Sequence, residues 1–202
     1  MLYVEVRHIK RQRGGAAMDN RATFASVKEA CWQCKNCGLG ETRIKAVFGE
    51  GPPNAEIFLL GEAPGAREDE TGRPFVGRAG DLLTATLAEA GIDRSDVFIT
   101  GSCKCRPPKN RNPLRGEVKA CRPLLLQQFE LIKPKIVVCM GLVAVHNILD
   151  PKAKIADVRG VWFDGPSYKI YVTYHPAAVL RGTVKRELLV EDFRKVKNAL
   201  NC

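Results

Sequence analysis

No apolar run in this chain approaches the ~18–20 residues needed to cross a bilayer, although 45% of its 202 residues are hydrophobic. A membrane-spanning helix is therefore not expected, and the apolar residues are left to build an internal core. The opening MLYVEVRHIKRQRGGAAM lacks the long apolar stretch of a secretory signal. A cytoplasmic, nucleoid-associated location follows as an expectation. The phosphate-loop pattern GxxxxGK[ST] is absent as well. That weighs against a nucleotide-binding enzyme holding a metal on acidic residues, a reading that dependence on Mg²⁺ would favour. No internal repeat or low-complexity block interrupts the chain.

What is present is positive charge: a formal net charge of +10 at pH 7. Such an excess favours a polyanionic partner, because basic side chains release counterions from nucleic acid without reading its sequence. Residues 1–20, with Arg7, Lys10, Arg11 and Arg13 before Gly14-Gly15, read as a basic, loosely ordered tail. Residues 21–202 are long enough for one domain with a proper core.

Strand and helix signals alternate along that domain. Helix is expected at Arg21–Cys31, Ala79–Ala90, Glu117–Ile132, Leu142–Leu149 and Arg186–Leu200, and strand at Glu56–Leu60, Val97–Thr100, Lys135–Met140, Val158–Phe163 and Tyr168–Thr173. The pattern predicts an α/β fold, a three-layer α/β/α sandwich around a mostly parallel sheet. In such sheets ligands bind beyond the carboxyl ends of the strands. Two segments fall there. One is Gly61–Gly80, GEAPGAREDETGRPFVGRAG, a loop with Glu62, Glu68, Asp69 and Glu70 and a single aromatic residue, Phe75. The other is His175-Pro176-Ala177-Ala178-Val179-Leu180-Arg181. Each has a plain structural reading, a solvated acidic turn and a helix-capping histidine, but their meeting on one sheet edge points to a site.

Eight cysteines stand at 31, 34, 37, 103, 105, 121, 139 and 202. Cys31-x2-Cys34-x2-Cys37 has metal-type spacing, and Cys105 and Cys121 flank a Pro- and Arg-rich loop. Four thiolates hold either zinc or an iron–sulfur cluster, and spacing alone does not choose. Cys139, inside an apolar strand, reads as a core thiol and Cys202 as incidental.

The segments CKNCGLGETRIKAVFGEG (34–51), GEAPGAREDETGRPFVGRAG (61–80), KCRPPKNRNP (104–113) with Cys121, and HPAAVLR (175–181) together resemble the family 4, iron–sulfur uracil-DNA glycosylases. The resemblance runs from about Cys34 to Asp192. It implies a repair enzyme that flips uracil from DNA, double- or single-stranded, and hydrolyses its N-glycosidic bond to leave an abasic site. It further implies a structural [4Fe-4S] cluster on Cys34, Cys37, Cys105 and Cys121, with Cys31 and Cys103 as extras and no catalytic metal. In the same terms, His175 hydrogen-bonds uracil O2 and steadies the departing anion. Glu62 polarises water or balances the sugar cation, Phe75 stacks on the base, and Glu68 lines its C5 side. Gly61 and Ala63 offer backbone groups, Leu180 wedges into the minor groove with Arg181 beside it, and Arg106, Lys109 and Arg111 meet phosphates.

One position departs from the family pattern. Gly101 stands where an asparagine commonly reads the uracil edge, so a backbone amide, Ser102 or a water is left to do so. Relaxed or altered damaged-base specificity, hypoxanthine included, is one alternative, and a catalytically weak iron–sulfur DNA-binding protein is another.

Overall fold

A computed structural model of the chain describes residues 23–200, so the basic tail and Cys202 lie outside the described residues. The first helix, α1 (Phe24–Gln33), starts where Thr23 and Ser26 exchange hydrogen bonds as a capping box. A single turn, α2 (Leu39–Thr42), follows Cys37. Then come β1 (Ile57–Gly61), α3 (Ala66–Thr71), α4 (Arg78–Glu89) and β2 (Val97–Gly101). The chain continues through α5 (Arg115–Ile132), β3 (Ile136–Met140), α6 (Leu142–Ile148), α7 (Ile155–Val158), β4 (Trp162–Asp164) and β5 (Lys169–Thr173). It closes with α8 (Pro176–Leu180) and α9 (Arg186–Ala199).

The strands form one sheet in the order β2-β1-β3-β5-β4, parallel except for β4 at the edge. Every residue of β1 and β3 is buried, as expected of parallel strands covered on both faces. Alternation sorts their side chains into two layers. Phe58, Leu60, Val137, Cys139, Ile170 and Val172 pack with α1, α5 and α6, whereas Ile57, Leu59, Val138, Met140 and Tyr171 pack with α4 and α9. The three-layer α/β/α sandwich is therefore the fold, and Cys139 is a core thiol at 0% exposure.

Two expectations need correction. Val158 ends a helical turn, Gly160 takes φ 77°, and only Trp162–Asp164 pair with β5, so the strand expected at Val158–Phe163 is half as long. Nor is Gly61–Gly80 loop throughout. Ala66–Thr71 is helical because the Glu68 carboxylate reaches back to the Gly65 amide, and Gly72 ends the turn in the left-handed region at φ 76°.

Candidate active site and cysteine cavity

Because the strands run parallel, Gly61, Gly101, Gly141 and Tyr174-His175 emerge on one edge. Gly61 is in register with Gly101, and the Gly141 amide donates to Thr173 O at 2.9 Å. The loop leaving β1 is braced from within. Glu68 accepts from the amides of Gly65 (3.1 Å), Val76 (3.0 Å) and Gly77 (3.1 Å), which fixes its carboxylate as a stiff wall. Arg94 donates to Pro74 O at 2.9 Å. Between these ties Phe75 holds φ 51°, a left-handed conformation that a bulky residue adopts only under outside constraint. Its ring lies on Gly61, where an added Cβ would sit 2.7 Å from the ring edge. Gly80 is equally obligatory, since a Cβ there would be 1.8 Å from Phe75 O.

His175 faces this loop, its ring centroid 5.6 Å from that of Phe75 with the planes 32° apart. The capping reading and the site reading of this residue both hold. Its Nδ1 accepts from the Ala177 amide at 3.1 Å, capping α8. An accepting Nδ1 carries no hydrogen, so in the neutral ring the proton is on Nε2, a tautomer assigned from this bond. Burial, seconded by the positive charge of Arg181 and opposed by Glu68, pushes the His175 pKa down to about 4. At neutral pH the ring is thus an uncharged donor through Nε2–H. Glu62 shares this field: burial raises its pKa and Arg181 partly offsets the rise. The edge therefore carries a poised carboxyl, a neutral imidazole, an aromatic face and a guanidinium.

Beneath β5, Asp192 is fully buried. It accepts from Tyr171 Oη (2.7 Å), Thr173 Oγ1 (2.6 Å) and Arg159 Nε (3.0 Å), and so anchors the strand that ends at His175. Nothing in the motif pattern flagged this residue; an acidic residue on the apolar side of α9 was the available signal.

Gly101 is packed, not open. An added Cβ would lie 2.7 Å from Cys103 O and 3.3 Å from Glu62 O. The chain after β2 folds onto the β1 loop through Ser102 N to Gly61 O and Cys103 N to Glu62 O, both 3.0 Å. Ser102 is fully buried and its hydroxyl donates to Gly61 O at 2.9 Å, so it is removed from the candidates for reading a base edge. Ala63 lies against Gly101 in the same turn, its Cα 3.4 Å from that Cβ position.

The basic residues divide. Leu180 is 40% exposed at the end of α8, with Arg181 next to it. Lys109 is exposed and left-handed at φ 55°, and Arg106 donates to Asn110 Oδ1 at 2.7 Å. Arg111, exposed, bonds Glu117 at 2.9 and 2.6 Å, and Arg106 Nη1 lies 4.0 Å from Asp69 Oδ2.

Cys31, Cys34, Cys37, Cys105 and Cys121 line one cavity together with Arg43 and Lys104. Arg43 Nη1 donates to Cys105 Sγ at 3.0 Å, and the Lys104 amide donates to Cys121 Sγ at 3.3 Å. Cys103 stands behind Cys121, hydrogen-bonded to it, and that bond together with the charge of Lys104 draws the Cys121 thiol toward ionisation. Among the described residues no three His, Cys, Asp or Glu side chains converge tightly enough for a single metal ion.

Among the described residues no helix is long and apolar enough to cross a membrane. The fold, with Gly61, Gly101 and His175 on one strand-end edge, is that of the uracil-DNA glycosylase superfamily, whose family model matches residues 48–201. The chain is 45% identical over 184 residues to a type-4 uracil-DNA glycosylase of Sulfurisphaera tokodaii, covering 87% of this chain and 84% of that protein. It is 43% identical over 178 residues to a type-4 uracil-DNA glycosylase of Thermotoga maritima, covering 85% and 92%. A type-5 uracil-DNA glycosylase of Pyrobaculum aerophilum is more distant, at 30% over 171 residues. The chain belongs to the type-4 uracil-DNA glycosylases.

Proposed function

We propose that this enzyme hydrolyses the C1′–N1 bond of deoxyuridine in DNA, releasing uracil and leaving an abasic site. The observation that carries the reading is His175: a neutral ring with its tautomer set by the α8 cap, facing Phe75 on the edge that Glu62 and Arg181 share. Cleavage leaves negative charge on the uracil O2–N1 side and positive charge on the sugar. Nε2–H of His175 meets the first, and the Glu62 carboxylate faces the second or orients the water. A flipped base stacks on Phe75, its C5 side turned to the Glu68 wall, with backbone groups of Gly61 and Ala63 beside it. Leu180 occupies the gap left in the duplex, while Arg181, Arg106 and Lys109 meet phosphates.

Cys34, Cys37, Cys105 and Cys121 are assigned as the ligands of a [4Fe-4S] cluster that ties the N-terminal segment to the Pro-rich loop before α5. Bound there, the cluster supplies a structural cross-link; the base chemistry is carried by the strand-end residues. Visible absorbance and iron content test this assignment independently of activity. The glycosylase reading is tested on a U:G duplex followed by alkali, where no strand cleavage overturns it. Because position 101 presents backbone only, a screen of single-lesion oligonucleotides belongs beside that assay. Release of hypoxanthine there supports relaxed reading, and strict uracil-only cleavage removes it.

A further inference from the structure

Arg94 opens the short turn Arg94–Asp96 that leads into β2; it is half-buried, and its guanidinium is used twice. Nη2 donates to Pro74 O at 2.9 Å and Nη1 to Thr84 Oγ1 at 3.0 Å. The Thr84 hydroxyl gives its one hydrogen to Gly80 O at 3.0 Å. Pro74 is buried and immediately precedes Phe75, and Gly80 is the residue against which the Phe75 carbonyl rests. The fork therefore joins the two walls between which Phe75 holds φ 51°. Other groups tie the neighbours: Glu50 grips Arg73 at 2.7 and 2.9 Å, and Glu68 takes the Val76 and Gly77 amides. Arg94 holds the Pro74–Phe75 peptide itself. A bulky residue leaves the left-handed region by rotating the peptide before it, because that plane turns with φ. Rotation would swing Pro74 O off the guanidinium and strand a buried carbonyl. A bond from a charged donor and the strain of a left-handed residue are of similar size, so losing this contact is enough to tip the turn.

We infer that Arg94 is a positioning residue for the base site: it holds the Pro74–Phe75 peptide so that the Phe75 ring stays on Gly61, 5.6 Å from the His175 ring. The inference rests on the stacking role proposed for Phe75. It puts a determinant of excision ahead of β2, outside the two strand-end segments that carry the chemistry. Lysine is no substitute there, because a point charge does not span Pro74 O and Thr84 Oγ1 together.

The test is a double-mutant cycle on the full chain, read as single-turnover excision from a U:G duplex well below the Tm of every variant. Phe75→Ala should slow excision roughly 5–150-fold, the usual worth of a stacked base. Arg94→Met should slow the wild type about 10-fold, yet slow the Phe75→Ala enzyme less than about 2-fold, because the ring it positions is gone. An equal further loss in both backgrounds means a general structural role and overturns the inference, as does an undiminished rate in Arg94→Met. Should Arg94→Met fail to fold, Arg94→Lys is carried through the same cycle with the same expectations. Phe75→Ala at the wild-type rate, or a wild type without excision, refutes the reading of the base site instead. A crystal structure of Arg94→Met then decides the clamp: a Phe75 φ returned to negative values upholds it, and a φ near 51° overturns it.

Discussion

His175→Ala removes two things at once: the Nε2–H donor and the side-chain cap of α8. The losses differ in size and in observable. A preorganised donor aimed at developing negative charge contributes about 2.7–4 kcal/mol to the barrier, so kcat should fall roughly 10²–10³-fold. Loss of an N-cap costs about 1 kcal/mol, which in a protein of this size lowers Tm by roughly 2–4 °C. His175→Asn separates the two, because an amide oxygen accepts from the Ala177 amide but reaches less far than Nε2. Its Tm should return toward wild type while kcat stays as low as in the alanine variant. Single-turnover excision from a U:G duplex gives kcat, a melt gives Tm, and a duplex carrying a non-cleavable uracil analogue checks that binding is kept. Wild-type turnover in His175→Ala, or restored turnover in His175→Asn, would refute the donor role.

The remaining predictions concern charge, space and anchoring. With the His175 pKa near 4, kcat should be flat from about pH 6 to 8, with an acid limb that includes the raised ionisation of Glu62. A decline as pH rises through about 6.5 would mean that an imidazolium does the work. By linkage, the depressed His175 pKa contributes stability fully above the ordinary value of about 6.5, lost as pH falls toward 4, and urea melts of wild type against His175→Asn measure it. Gly101→Asn should not restore a family-like reader. Its Cβ meets Cys103 O at 2.7 Å, so a loss of about 1–3 kcal/mol is expected, and an undiminished Tm would show that the segment yields. Asp192→Asn strands Arg159 and loosens the end of β5. A loss of about 3 kcal/mol is expected, at the low end for a buried pair because Arg159 is partly exposed, together with a kcat lower than stability alone explains.

Fold and site were legible to different depths. The alternation of apolar runs and helical patterns placed the layers, because strands covered on both faces must be apolar throughout, as Ile57–Leu60 and Ile136–Met140 are. It misplaced Val158–Val161, where the same β-branched character served a helical turn and the Gly160 bend before a three-residue edge strand. The motifs brought Glu62, Phe75 and His175 to one edge, since parallel strands end together. What they could not show was how polar groups pair across distance. The bond from Ser102 to Gly61 O, the grip of Arg111 on Glu117 and the burial of Lys104 depend on the backbone path after β2. Periodicity does not encode that path.

The three amides closed on Glu68, and Phe75 held in a left-handed turn, mean that this wall of the proposed base site is ordered before any DNA arrives. Little of the free energy of recognition is then consumed in ordering protein, and nearly all the deformation falls on the duplex. An enzyme of this kind discriminates partly by how readily its substrate opens. A uracil already mispaired with guanine leaves the helix at a lower cost than one paired with adenine. On the proposed function, stiffness in this short acidic loop predicts faster excision from a U:G than from a U:A duplex, which single-turnover assays on the two duplexes measure.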